Sequence, residues 1–137
     1  MYAPCNNDTH IFWYHRIMQE IGIESSLLSE ILAGHKTIEL RLGKPKFIKM
    51  RVGDMLRLRE DVMQDGQLLE SIPDQATVVI TQLLYFEHLD EALSFIDFQA
   101  AIPSAKSKAE ALAVYRKFYS PEDEEEYGVV AITFALS

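Results

Sequence analysis

Apolar and polar positions change period several times along this chain, and each change marks an element. Residues 36–42 alternate strictly, with Ile38, Leu40 and Leu42 on one side and Thr37, Glu39 and Arg41 on the other, which predicts a half-buried strand. Just before it, Leu27, Leu28, Ile31 and Leu32 recur at helical spacing, Ser25-Ser26 offers an N-cap, and Gly34 stands where a left-handed C-cap belongs. Residues 16–23 carry Ile17, Ile21 and Ile23 on one parity and read as a strand. Beyond the Gly43-Lys44-Pro45 break, residues 47–52 and 55–59 alternate again, predicting two short strands joined through Gly53-Asp54.

Asp65-Gly66 marks a polar loop, and residues 76–86 (ATVVITQLLYF) form a long β-rich run. Residues 89–96 suggest a helical turn or two. Ser107 followed by Glu110 is a capping-box signature for a helix reaching about Tyr119, with Ala111, Leu112, Tyr115, Phe118 and Tyr119 at helical spacing. Pro121 and the acidic run 122–126 read as its end and as a solvent-facing loop, and residues 127–136 as a buried closing strand. Five or six strands with two or three short helices between them predict an α+β fold, a small mixed β-barrel flanked by short helices. No repeat or long linker divides the chain, so it reads as an N-terminal extension, 1–15, and one domain, 16–137.

Composition narrows the class. The 137 residues include one cysteine, Cys5, which can neither close an internal disulfide nor supply a zinc-finger ligand set; a reducing compartment fits, and the expected location is cytoplasmic. No apolar run reaches membrane-spanning length, and the N-terminus lacks the pattern of a secretory signal, so no membrane partner is expected. The net charge of −8 argues against nucleic acid until its distribution is considered. Residues 36–59 hold eight basic side chains against two acidic ones, a local charge of +6, while the remainder carries −14. That segment suits phosphate, or else is simply the solvated face of strands.

The six glycines never fall at the spacings of phosphate-cradling loops or nucleotide fingerprints, and no cofactor is expected. His10, His15, His35 and His88 are too scattered in sequence to suggest a metal site. What remains is Gly34-His35-Lys36-Thr37-Ile38-Glu39-Leu40-Arg41. Residues two apart on a strand point the same way about 7 Å apart, so one ligand could meet the Thr37 hydroxyl, the Glu39 carboxylate and the Arg41 guanidinium. The plainer alternative is that Glu39 and Arg41 pair with each other on an exposed sheet face, worth about 0–1 kcal/mol.

The pattern Ile31-Leu32-x-Gly34-x-Lys36-Thr37-x-Glu39-x-Arg41, followed by Val52-Gly53-Asp54-x-Leu56, resembles the ASCH domain family of the PUA-like superfamily. Tyr115, Tyr119 and the Tyr127-Gly128-Val129 strand are similar to that family's C-terminal half, and the likeness covers roughly residues 17–136. It implies a small β-barrel with a cleft at the G-x-K-T-x-E-x-R motif and a role in binding RNA, a nucleotide or a nucleoside. Some members are similar to amidohydrolases that deacetylate acetylcytidine with a lysine and a threonine of this strand and a distant glutamate. Lys36 matches the lysine, but Glu39 stands where their threonine would be. Others look like ribonucleases.

Three readings follow. In the first, an RNA- or nucleotide-binding domain uses Lys36, Thr37, Glu39 and Arg41, with Tyr115 or Tyr119 stacking on a base or else packing in the core. In the second, a hydrolase, either a ribonuclease or an acetylcytidine amidohydrolase, uses Lys36 and Glu39 as catalytic groups. The third is a protein-interaction module that has kept the fold without the pocket.

Overall fold

The computed structural model describes residues 18–137. The expected extension 1–15, with Cys5, His10 and His15, lies outside the described residues. Among these the elements run β1 (Met18–Glu24), α1 (Ser25–Leu32), β2 (Ile38–Leu42), α2 (Pro45–Ile48), β3 (Met55–Gln64), β4 (Gln67–Phe86), α3 (Leu89–Phe95), α4 (Phe98–Ala101), α5 (Lys108–Arg116), α6 (Pro121–Tyr127) and β5 (Val129–Leu136). The class is mixed α+β.

The five strands form one sheet in the order β1-β3-β4-β5-β2. β1 pairs parallel with β3, and every other neighbouring pair is antiparallel. The outer strands β1 and β2 share no ladder, so backbone hydrogen bonds do not close the sheet into the expected barrel. A side chain spans the gap instead: Arg41 Nη2 on β2 donates to the Gly22 carbonyl on β1 at 2.5 Å.

Two apolar cores account for the strand patterns. Ile21, Ile23, Leu56, Leu58, Val78, Ile80, Val130, Ile132 and Phe134 meet Leu28 and Ile31 of α1 on one side of the sheet. On the other, Leu40, Val129 and Ala131 pack with Leu89, Leu93, Ile102 and Tyr115 from the helical layer. β5 feeds both cores with alternate residues, which is why it reads as an almost unbroken apolar run. Each large aliphatic side chain buried this way contributes roughly 1.5–3 kcal/mol.

Several expectations need correcting. Residues 47–52 are not a strand: Pro45 opens the short helix α2, where its missing N–H costs nothing, and Phe47 and Met50, three apart, are the buried pair. Asp65-Gly66 is a tight turn with both residues at positive φ, joining Gln64 to Gln67 in a long hairpin. Strand β4 therefore starts nine residues earlier than expected. The acidic run is helical: Ser120 caps α6 through the Asp123 amide, Pro121 stands at its first position, and the acids of the first turn suit the helix dipole. Glu124 is not solvent-facing either. Buried to 4% exposure, it accepts from the Leu89 amide at 2.7 Å and from Arg116 at 3.0 Å.

Candidate functional site

The left-handed Gly34, at φ 84°, turns the chain sharply after α1, and the His35 and Lys36 amides fold back onto the Glu30 carbonyl. This swings Lys36 into the interior, where it is 1% exposed. Its ammonium donates to the Ile38 carbonyl at 2.7 Å, the Ala101 carbonyl at 2.6 Å and Glu39 Oε1 at 3.0 Å. An ammonium has three N–H groups, and all three are engaged. Burial pulls its pKa below the ordinary value while Glu39 pushes the other way.

Glu39 is the hub. Its Oε1 accepts from Lys36, from the Leu40 amide at 3.2 Å and from the Tyr115 hydroxyl at 3.1 Å, and its Oε2 accepts from Arg41 Nε at 2.9 Å. Burial alone would raise its pKa, but the charges of Lys36 and Arg41, with the hydrogen bonds from both, bring it down to about 2. Burial lowers the Arg41 pKa, but Glu39 outweighs it and the net shift is upward. Burial, reinforced by Glu39, lifts the Tyr115 hydroxyl well above its ordinary range. Tyr119 is pushed up to about 12, again by burial first, with Arg41 opposing.

Glu39 and Arg41 form one wall of a cleft of about 210 Å³ lined also by Gly22 and Glu24 of β1, Asp61 and Met63 of β3, Leu27 of α1, and Val114, Tyr115, Phe118 and Tyr119 on and just past α5. Tyr115 and Tyr119 lie parallel, ring centres 6.3 Å apart. Tyr115 is itself buried, whereas Phe118 is 53% exposed at the rim. Gly22 has a steric reason here. A methyl group at that position would fall 2.1 Å from Asp61 and 2.2 Å from Arg59, which pair directly over the strand.

The expected row of three groups is thus divided. Glu39 and Arg41 share the cleft, with Tyr115 and Tyr119 beside them, and Lys36 lies behind it. Thr37 is exposed before β2 begins and lines a separate, mostly apolar groove with Gly34, Phe134 and Leu136, a groove that Lys36 also borders. Sequence reasoning missed Phe118 as a cleft residue, and missed Glu24, Asp61 and Met63, which only the β1–β3 pairing brings there. Lys44, Lys46, Lys49, Arg51 and Arg57 of the basic segment are exposed; Lys46 donates to the Glu20 carbonyl. Among the described residues, Glu87, His88 and Glu91 bring potential metal ligands within 4.8 Å of one another. All three are exposed, and Glu91 already accepts from the His88 amide.

No protein-family model matches the chain, and no curated protein matches it. Solved structures do. The crystal structure of hypothetical protein PH0355 is 28% identical, covering 88% of this chain and 99% of its own, with a TM-score of 0.74. The solution structure of protein PF0455 from Pyrococcus furiosus is also 28% identical, over 87% and 96%, with a TM-score of 0.66. The ASCH domain crystal structure from Lactobacillus crispatus covers 98% of this chain and 97% of its own at 15% identity, with a TM-score of 0.52. The chain has the fold of an ASCH domain. Among the described residues, no helix is long and apolar enough to cross a membrane.

Proposed function

We propose that this ASCH-fold protein is a member of the ASCH family that binds RNA or nucleotides in the cytoplasm, taking one base into the cleft beside Glu39 and Arg41. In this reading the curled sheet is a barrel left open at the β1–β2 seam. The observation that carries the reading is the cleft itself, a slot with the exposed Phe118 ring at its rim and a partly exposed guanidinium in its wall. Flat rings stack on such a rim, and stacking is worth about 1–3 kcal/mol per base. The exposed basic side chains of residues 44–57 suit the phosphates, which the acids of the cleft would repel.

Two features favour binding over hydrolysis. A general base works best with a pKa near the operating pH, and Glu39 at about 2 is far from it. Lys36 has no N–H left to offer a substrate. Both features fit Lys36 and Glu39 as the structural support of a binding wall.

The test is a titration of the whole chain with nucleosides and short single-stranded RNAs, followed by calorimetry, with acetate release and RNA integrity measured in parallel. Saturable binding is expected, weakened about fivefold or more by Phe118→Ala, with no turnover. Absence of binding at millimolar ligand sinks the proposal. Release of acetate from acetylcytidine, or cleavage of the RNA, replaces it with the hydrolase reading.

A further inference from the structure

One wall of the cleft is made by two strands running side by side, and Arg41 reaches it by donating to the Gly22 carbonyl. Their parallel register sets Glu24 beside Asp61 and Gly22 beside Arg59. Glu24 and Asp61 both line the cleft. Neighbouring strands lie about 4.8 Å apart, so two carboxylates stand next to each other on one wall, which like-charge repulsion disfavours unless donors satisfy them.

The protein supplies only some of those donors. Asp61 accepts from Arg59 at 2.7 and 3.1 Å and from the Ser71 hydroxyl at 3.3 Å. Glu24 accepts from the amide and hydroxyl of Ser26, both within the cap of α1. An ionised carboxylate has about four acceptor sites, so roughly three of this pair's sites are left unfilled on side chains that line the cleft. Glu39 differs: its Oε1 is filled by three donors and its Oε2 is held by Arg41. The carboxylate prominent in the sequence is therefore not the one best placed to read a ligand.

We infer that the cleft selects a base whose edge carries two adjacent N–H donors, as guanine does with N1–H and its 2-amino group, and that Glu24 and Asp61 set this specificity. The inference rests on the cleft being a nucleobase site. Two acceptors side by side match two donors side by side, while Arg41, which reaches this wall at Gly22, suits the carbonyl oxygen at the end of the same edge. Uracil offers one N–H flanked by two carbonyls and would set an oxygen against a carboxylate. Leaving buried polar groups unpaired or opposed is what makes such sites selective.

The experiment compares guanosine, inosine and uridine by calorimetry on the whole chain, inosine lacking only the 2-amino group. Guanosine is expected to bind about tenfold or more tightly than either. Glu24→Gln and Asp61→Asn each put an amide donor against the base, and the preference should fall below about threefold in either variant that melts like the wild type. Asp61→Asn also weakens the bond to Arg59, so Glu24→Gln, which keeps a cap oxygen, is the second arm. Equal binding of guanosine and inosine, or a preference unchanged in both variants, overturns the inference while leaving a nucleobase site standing. Failure of every nucleoside to bind overturns both.

Discussion

Arg41 and Gly22, nineteen residues apart in sequence, tie together the two outer strands of an open sheet through a single hydrogen bond from guanidinium to carbonyl. The same guanidinium holds Glu39 Oε2, so one side chain both closes the seam and shapes the cleft wall. Arg41→Met should remove both contacts and leave a buried carboxylate held by Lys36, the Leu40 amide and Tyr115 on Oε1 and by nothing on Oε2. Breaking a buried ion pair costs on the order of 3 kcal/mol. A urea midpoint lowered by that amount is expected, whereas unchanged stability would show that the seam does not depend on this residue.

Lys36 should matter to stability before it matters to a ligand. Lys36→Met strands two buried carbonyls and one arm of Glu39, with an expected loss of about 3–5 kcal/mol in denaturant titrations. Adding Glu39→Gln should not recover it, because Glu39 still pairs with Arg41 in the single variant and the double variant leaves that guanidinium without its carboxylate. A Lys36→Met protein with wild-type stability and no ligand affinity would contradict this assignment.

Glu39 also predicts a pH profile. Its pKa is lower in the folded chain than its ordinary 4.5, reaching about 2, so its contribution is fully present above pH 4.5 and disappears as pH falls toward 2. One unit corresponds to about 1.36 kcal/mol, giving a loss of about 3 kcal/mol across that window. Asp61 and Glu124, also lowered, add in the same direction. Urea midpoints between pH 7 and pH 3 should drop steeply for wild type and less for Glu39→Gln.

Gly43 precedes α2, and a methyl group on it would fall 2.5 Å from the Tyr127 carbonyl, a backbone atom that cannot swing aside. Gly43→Ala should destabilise by about 1–3 kcal/mol, the usual range for overpacking, read as a lower melting temperature. Gly53→Ala, with open space around its Cβ position, gives the comparison: only the strain of its positive φ acts there.

How far the sequence reaches is visible in β2 and α6. Strand β2 is legible because its apolar parity is the packed one, with Leu40 and Leu42 buried and Ile38 partly so, although Glu39 on the other parity is buried too. The strand expected at 47–52 is absent because six residues barely distinguish a period of 2 from a spacing of 3, and Pro45 opens a helix as readily as it breaks a strand. The charge of the acidic run suggests solvation alone, yet Ser120-Pro121 followed by acids is also a helix N-terminus. Within the site, Glu39, Arg41 and Tyr115 were legible through one strand and one helix. Glu24, Asp61 and Phe118 were not, since they meet only after β1 pairs with β3 and the chain turns beyond α5. Nor does any local pattern show that Lys36 is buried, because lysine inside a core depends on carbonyls from α4 being brought to it.

The basic segment supplies the last prediction. Lys44, Lys46, Lys49, Arg51 and Arg57 are exposed within fourteen residues of a chain that is acidic overall. If phosphates of a single strand lie over this stretch, each contact releases a counterion and adds about −0.7 to the slope of log affinity against log salt. Replacing Lys44, Lys49 and Arg57 with glutamine should lower RNA affinity at every salt concentration and make that slope shallower by about two. Affinity for a free nucleoside should be unchanged, because the cleft is lined by none of the three. A slope that is flat in wild type, or the same in wild type and the triple variant, would mean that RNA does not track over this stretch. Equal losses of RNA and nucleoside binding would mean that the substitutions had disturbed the cleft and that base and backbone are not read by separate surfaces.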